Sequence, residues 1–384
     1  MNFQERLQAV QAAMAEHEID LIFLPRAANL FYLTGIRRHL EHGTDHNAYG
    51  DWLSGGYFGP EGPVQVLAPR MGGGFFQQEA EGKAWVGDVR LIQEGEVPGE
   101  VLRQMLARFG LTSGRVRIAV DERSWAQMLI ALRDILPDVE ILNASELIMP
   151  LRMIKDADEI AALQRASDVA DAVFEKALAA LKPGVTEYDV AYEIDHQFVA
   201  HGAEYTSFET GVFFVAVDLD GGGTTRSGER RLTHGDSIMF DFGGVVDGYC
   251  SDFGRSAFLG EPPADYLRIH DTVLQSQAEA MRAMVADRCT AAEANAIARK
   301  VIADAGHDVG FTHRLGHGIG ATVHEPPFLD GVDQIVLRER MTFTVEPSII
   351  YPGRLGNRVE DVVVITAEGG KPLSRVDRKL YVID

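Results

Sequence analysis

Cations, cysteines and long apolar runs are what this chain has least of. Its 384 residues carry 36 Lys and Arg against 57 Asp and Glu, a formal charge of −21. Such acidity lacks the positive field that phosphate binding needs, which speaks against nucleic acid as a main partner. It suits a soluble protein, or one that concentrates cations. Only two cysteines occur, Cys250 and Cys289. They could pair, but they make no disulfide framework, and a reducing cytoplasm is the expected setting. No apolar run approaches the roughly 18–20 residues of a membrane span. The segment Met1–Leu7 reads as an amphipathic helix, not as a signal peptide. What remains is ordinary: 46% hydrophobic and 24% charged residues, which excludes disorder and fibrous repeats. At roughly 100–200 residues per domain, two domains are expected.

Residues 1–150 alternate helix and strand patterns. Leu7, Val10 and Met14 have helical spacing, and Asp20–Pro25 is a short buried strand closed by proline. Strand patterns recur at Val116–Val120 and Val139–Leu142. From about His39 to Gly74 runs a stretch rich in glycine and aromatic residues, read as a long functional or mobile loop. Within it, His42–Trp52 is either a surface loop or a substrate lid. Pro150 marks a boundary, giving an N-terminal domain of residues 1–150 and a second of 151–384. Asp156 to Leu181 is a long helix pattern with Ile160, Leu163, Ala166 and Val173 largely on one face. Two later helices share a start signal, Thr186 with Asp189 and Thr290 with Glu293, in which a hydroxyl and an acid satisfy orphan helix amides. Each stops near a glycine 16 residues on, Gly202 and Gly306. Two ordinary capped helices fit this pattern; so does a duplicated helix–strand unit with a site at its pseudo-twofold axis.

Five segments carry the chemistry. Asp241 lies inside the apolar strand pattern Met239–Gly243, where an unpaired carboxylate is costly. Glu346, in Phe343–Pro347, and Glu360, before the apolar run Val362–Ile365, pose the same problem. Asp252, in Gly248–Arg255, and His317, in Arg314–Gly320, complete the set. Singly, each is more often structural than functional. A buried arginine can serve one of these acids, whereas a metal can serve them all. Four carboxylates and one imidazole suit Mn²⁺, Fe²⁺, Co²⁺ or Zn²⁺ better than Mg²⁺. Their number is right for two ions with bridging carboxylates, which can activate a water for hydrolysis. Three look-alikes fail. Asp241-Phe242-Gly243 has no kinase catalytic loop or ATP loop beside it. Gly221–Thr225 is not followed by Gly-Lys-Ser/Thr, and His324-Glu325 has no second histidine at the zincin spacing.

In this order, the segments resemble the pita-bread metallopeptidase family, which includes methionine aminopeptidase, aminopeptidase P, Xaa-Pro dipeptidase (prolidase) and creatinase. His313–Gly320 running on to His324-Glu325-Pro326-Pro327 is similar to the bacterial Xaa-Pro dipeptidase branch. So is Met341–Pro347 followed by Arg358-Val359-Glu360-Asp361. The segment Asn29–Gly35 is similar to the N-terminal domain of the prolidase and creatinase branch. The resemblance implies an α+β chain: a pita-bread catalytic domain with an internal pseudo-twofold duplication, preceded by a smaller α/β creatinase-type domain. It implies a dinuclear site with Asp241, Asp252, His317, Glu346 and Glu360 as metal ligands, the two aspartates being 11 residues apart as the family pattern requires. Manganese is the first choice of divalent ion, with cobalt, iron or zinc as alternatives, and the two ions would share a bridging hydroxide. Glu346 would double as a proton shuttle. His313 and His324 would donate to the substrate carbonyl and the tetrahedral oxyanion. Arg358 would orient Glu360 or a substrate carboxylate, or partner a buried acid. The implied activity is cleavage before proline in a short peptide by a cytoplasmic homodimer, with no nucleic-acid or membrane partner.

The chain departs from the family pattern at three positions. Peptidases of this branch usually carry another histidine 17 residues before the first metal aspartate, where this chain has Thr224. The nearest histidine after it, His234, reads as surface. Gly254 and Ser348 stand where threonine and glycine are usual. These departures keep a second reading open: a non-peptidase of the same fold acting on a small zwitterion or osmolyte. It would be a C–N hydrolase like creatinase or ectoine hydrolase, or a lyase like that acting on dimethylsulfoniopropionate. A binding protein without catalysis fits less well, because all five ligands are retained.

Overall fold

In the computed structural model, which describes residues 1–38, 50–215 and 227–384, the chain forms two units, Met1–Arg152 and Met153–Asp384. The first opens with the helix Phe3–Glu16, capped by the Asn2 side chain, which buries Leu7, Val10 and Met14. Its six-stranded sheet runs in the order Val86–Ile92, Val64–Pro69, Gly55–Phe58, Leu21–Pro25, Arg117–Val120, Glu140–Asn143. Gly55–Phe58 is antiparallel to both neighbours; the other pairs are parallel.

One expectation changes here. The stretch read as a loop holds regular structure over residues 50–74: the 3-10 turn Asp51–Leu53, two strands of the sheet and the start of the helix Gly73–Ala80. Residues 39–49 lie outside the described residues. The glycines serve packing, since a Cβ at Gly56 would fall 2.6 Å from Leu30 and 2.7 Å from Val64. Pro150 sits inside the helix Ser145–Met153. It lacks one internal hydrogen bond there without ending the helix.

The second unit is built twice over. The long helix Ala157–Ala180 is followed by Glu187–Ala200, and the long helix Ala264–Ala283 by Ala291–Asp304. Both shorter helices are 14 residues long and begin in a formed capping box, Thr186–Asp189 and Thr290–Glu293. Each packs on the preceding long helix and on one strand of a sheet, Gly211–Val215 or Glu325–Leu329; the second sheet is antiparallel throughout, and the first is antiparallel except where Tyr381–Ile383 joins Phe253–Leu259 in parallel. The first sheet has the order Tyr381–Ile383, Phe253–Leu259, Ser237–Phe242, Gly211–Val215. The second runs Glu325–Leu329, Gly316–Gly318, Thr342–Val345, Asp361–Thr366, Gly369–Pro372.

A buried ion pair stitches the halves together. Arg255 in the first sheet and Asp361 in the second pair at 2.8 Å, both side chains fully buried. Arg255 also donates to the carbonyls of Gly254 at 2.8 Å and Glu360 at 2.5 Å. The other oxygen of Asp361 accepts from Gln277 at 3.0 Å and Arg378 at 2.6 Å. Both cysteines are buried and neither is in a disulfide. Among the described residues no helix is long and apolar enough to cross a membrane.

Removing one partner of a buried pair strands the other charge, whereas an exposed pair contributes little. Asp361→Ala should therefore cost about 3–5 kcal/mol in urea unfolding. Arg165→Ala, whose partner Asp247 is exposed, should change stability little. Equal losses would remove the seam from the account of stability.

Candidate active site

Strand alternation aims the first of the expected ligands. Along Ser237–Phe242, Ile238, Phe240 and Phe242 enter a core with Phe174 and Phe253, and Asp241 projects from the opposite face. The chain then turns through Asp247 and Gly248, with φ of 51° and 78°, the two positive values that a two-residue type I′ hairpin requires. It returns antiparallel, so Gly254 lies opposite Asp241 and Asp252 enters just ahead of the strand. In the second sheet His317 lies on Gly316–Gly318. Glu346 follows Thr342–Val345, and Glu360 precedes Asp361–Thr366. Val345 pairs with Asp361, which puts Glu346 and Glu360 at the same end of the pair. The sheets meet where the Glu360 amide donates to the Gly254 carbonyl at 2.9 Å.

The five expected ligands therefore converge. Carboxylate oxygens of Asp241, Asp252 and Glu360 all lie within 4.8 Å of one another. His317 Nε2 is 3.5 Å from both Asp252 Oδ2 and Glu346 Oε1. Its Nδ1 donates to the Gly318 carbonyl at 3.1 Å, so the neutral ring turns its Nε2 lone pair toward the acids. Burial, then the neighbouring His324, holds its pKa down to about 3.

One cation faces these acids. Arg358 contacts Asp241 and lies 3.6 Å from Glu346 Oε2 and 3.8 Å from Glu360 Oε2. Its Nε donates to Ser348 Oγ at 2.9 Å. Burial is the largest cause raising the pKa of Asp252, Glu360 and Glu346, reinforced by the neighbouring acids; Glu346 reaches about 7. Asp252 Oδ1 and Glu360 Oε2 are buried with no hydrogen-bond donor. Buried acceptors without donors, in an oxygen-rich set with one imidazole, fit divalent cations.

A cavity of about 590 Å³ opens over the cluster, and His313, Arg314, His324 and Asp330 also line it. His324 is exposed and stacks edge-on against His317, ring centroids 4.1 Å apart. His313 differs from the expectation of a donor. Its Nδ1 donates to the Arg314 carbonyl at 2.7 Å, and its buried Nε2 has no partner. With its pKa lowered to about 4, chiefly by burial, the ring is neutral and Nε2 is an acceptor. His234 is exposed, and Thr224 lies outside the described residues.

Sequence reasoning missed three features. Lys155 and Glu325 form a fully buried pair at 2.7 Å beneath the segment that carries His324. Ser348 anchors Arg358. Arg314 and Asp330 form part of the wall. Arg314 and Glu325 stood in the quoted His313–Pro327 run and Ser348 stood out as a departure, but no pattern in the sequence named their partners.

Known proteins resemble this chain over most of its length. The family described as "Metallopeptidase family M24" matches residues 161–367, and "Creatinase/Prolidase N-terminal domain" matches residues 6–154. A protein of Pyrococcus furiosus named Xaa-Pro dipeptidase is 27% identical over 377 residues, 98% of this chain and 99% of its own. One of the same name from Lactobacillus helveticus is 34% identical over 310 residues, 80% of this chain and 83% of its own. The crystal structure of a prolidase from Thermococcus sibiricus superposes with a TM-score of 0.88 at 27% identity, covering 100% of both chains.

Carboxyls with raised pKa hold protons that an arriving cation must expel. Adding Mn²⁺ to metal-depleted protein should release protons, more at pH 6 than at pH 8, and affinity should fall as pH falls. Saturation at about 100 times Kd should add about 2.7 kcal/mol of stability, read as a rise in Tm. Asp252→Asn and Glu360→Gln should each lose most of both signals. Full retention in both would sink the ligand assignment.

Proposed function

Because the chain belongs to metallopeptidase family M24, we propose that it is a metal-dependent Xaa-Pro dipeptidase that hydrolyses the bond before proline in a short peptide. One observation carries this reading: buried, donor-less carboxylate oxygens of Asp252 and Glu360 beside Asp241, under a cavity walled by histidines. The relatives named for cleavage before proline match over most of their length. The relatives' names support this reading over the non-peptidase alternative.

Asp241, Asp252, His317, Glu346 and Glu360 would hold two divalent ions, manganese by preference. When bound, such ions supply Lewis acidity and a water acidic enough to attack at neutral pH. Glu346, at the cavity wall, takes the proton from the attacking water. It returns that proton to the proline nitrogen, which leaves as a secondary amine and must be protonated to depart. His324, at the mouth, donates to the carbonyl oxygen as negative charge develops there. Arg358 holds Asp241, Glu346 and Glu360 in place. A homodimer in the cytoplasm completes the proposal.

The purified protein, stripped and reloaded with Mn²⁺, should release proline from Leu-Pro or Ala-Pro only when metal is present. Glu346→Gln should lower kcat by about 10²–10⁴-fold. His324→Ala should lower it by about 10²–10³-fold while metal content, read by elemental analysis, stays at the wild-type level. A metal-loaded protein silent on a panel of Xaa-Pro dipeptides would overturn the reading. A wild-type rate in His324→Ala would remove that residue from the mechanism.

A further inference from the structure

One buried hydroxyl, that of Thr344, bridges two of the expected ligands. The backbone of Glu346 is fixed on both sides: its amide donates to the Leu315 carbonyl at 2.9 Å, and its carbonyl accepts from Ser348 Oγ at 3.1 Å. Its side-chain torsions remain to be set. Among the described residues one hydrogen-bond donor reaches the carboxylate, Thr344 Oγ1, which lies 3.2 Å from Oε1. The direction of that bond follows from the donors available. Thr344 Oγ1 also meets the His317 amide at 3.1 Å, and an amide N–H can only donate. The hydroxyl is the acceptor there, so its one proton is left for Glu346. Gly316 permits the approach, since a Cβ there would fall 2.0 Å from the Thr344 carbonyl oxygen and 2.9 Å from Thr344 Oγ1. Thr342, two residues earlier on the same face of the strand, is a counterpart that reaches no ligand. It is also buried, and it donates to the Ile319 carbonyl at 2.5 Å.

We propose that Thr344 is a positioning residue of the metal site: its hydroxyl, oriented by the His317 amide, turns Oε1 of Glu346 toward His317 and leaves Oε2 on the Arg358 side. The two oxygens have separate surroundings. Oε1 lies 3.5 Å from His317 Nε2, and Oε2 lies 3.6 Å from Arg358 Nη2. The last torsion of a glutamate side chain is broad and roughly two-fold, so rotation about it exchanges the oxygens. A donor at Oε1 alone removes that freedom, and in a buried site such a bond counts for more than it does in water. Thr344 is itself fully buried and stands apart from the residues that line the cavity. It therefore acts through Glu346 and not on a substrate. The inference rests on Glu346 as a ligand, and on the dipeptidase reading only for the choice of substrate.

The test compares Thr344→Val, Thr344→Ser and Thr342→Val with wild type. Each valine removes one buried hydroxyl from the same strand face, so both should lower Tm to a similar extent. Thr344→Val alone should also weaken Mn²⁺ binding, by about ten- to hundredfold in Kd, read by calorimetry on metal-depleted protein. Saturated with Mn²⁺, it should lose about ten- to hundredfold in kcat on Leu-Pro with KM near the wild-type value. Thr344→Ser keeps the hydroxyl and should restore most of both. Glu346→Ala should bind Mn²⁺ weakly, and adding Thr344→Val to it should weaken binding no further, because residues that act as one unit are not additive. Thr344→Ala takes the place of the valine variant should that fail to fold. A Thr344→Val protein that matches Thr342→Val in Mn²⁺ affinity and kcat would overturn the proposal, as would losses that add to those of Glu346→Ala. Loss of Mn²⁺ affinity confined to Thr344→Val, in a protein that cleaves no Xaa-Pro dipeptide, would support it while the dipeptidase reading fails.

Discussion

Four acids face one guanidinium, and the catalytic unit is organised around that imbalance. Two like charges about 4 Å apart repel by about 4 kcal/mol even at an effective dielectric of about 20. Arg358 reaches three of the acids, but one cation cannot neutralise four anions. The protein has two ways to relieve the excess, binding protons or binding metal, and the raised carboxyl pKa values are the first of these. Neither works unless the backbone holds the acids together against their repulsion. The sheets provide that frame, and the Arg255–Asp361 seam ties them at the residues flanking the cluster: Arg255 follows Gly254 and Asp361 follows Glu360. The Arg255 guanidinium grips the carbonyls of both Gly254 and Glu360. A deeply buried ion pair is a poor way to gain stability outright. Here it fixes the register of two strands whose ends carry like charges.

The imidazoles are governed by a second constraint. His317 and His313 use the same device, an Nδ1–H given to a nearby backbone carbonyl, with opposite consequences. In His317 it directs a basic nitrogen at the acids, which is useful only when a cation lies between them. In His313, a residue of the cavity wall, it leaves a buried basic nitrogen without a donor. His324 lacks such an anchor among the described residues. Its position comes instead from stacking on His317 and from the segment held by the Lys155–Glu325 pair. The three histidines of one run thus differ in role because their second contacts differ.

Much of this was legible in the chain, and what was not has physical causes. The duplication showed in two capping boxes, because a helix start is decided by residues three apart. Asp241, Glu346 and Glu360 drew attention because an acid amid apolar strand residues is costly, and Asp252 and His317 entered through the motifs around them. The stretch after Gly50 misled because glycine and aromatic residues signal a loop by composition, while here a missing Cβ lets a strand approach Leu30 and Val64. The Lys155–Glu325 pair and the Ser348–Arg358 bond were not legible, since nothing local distinguishes a side chain whose partner is 170 residues away or on a neighbouring strand. The direction of His313 depended on a carbonyl, which no pattern of side chains reports.

The two departures from the family pattern within the described residues converge on one side chain. A Cβ at Gly254 would lie 2.8 Å from Glu360 Oε2 and 3.0 Å from Arg358 Cδ, so a threonine there would displace one or the other. Ser348 Oγ accepts from Arg358 Nε at 2.9 Å and donates to the Glu346 carbonyl at 3.1 Å; a glycine would leave that Nε without this acceptor. One change makes room for Arg358 close to the cluster, and the other holds it there. An arginine drawn down among Asp241, Glu346 and Glu360 is spent on the protein's own acids and has little left for a ligand. The role of partner to buried acids then belongs to Arg358.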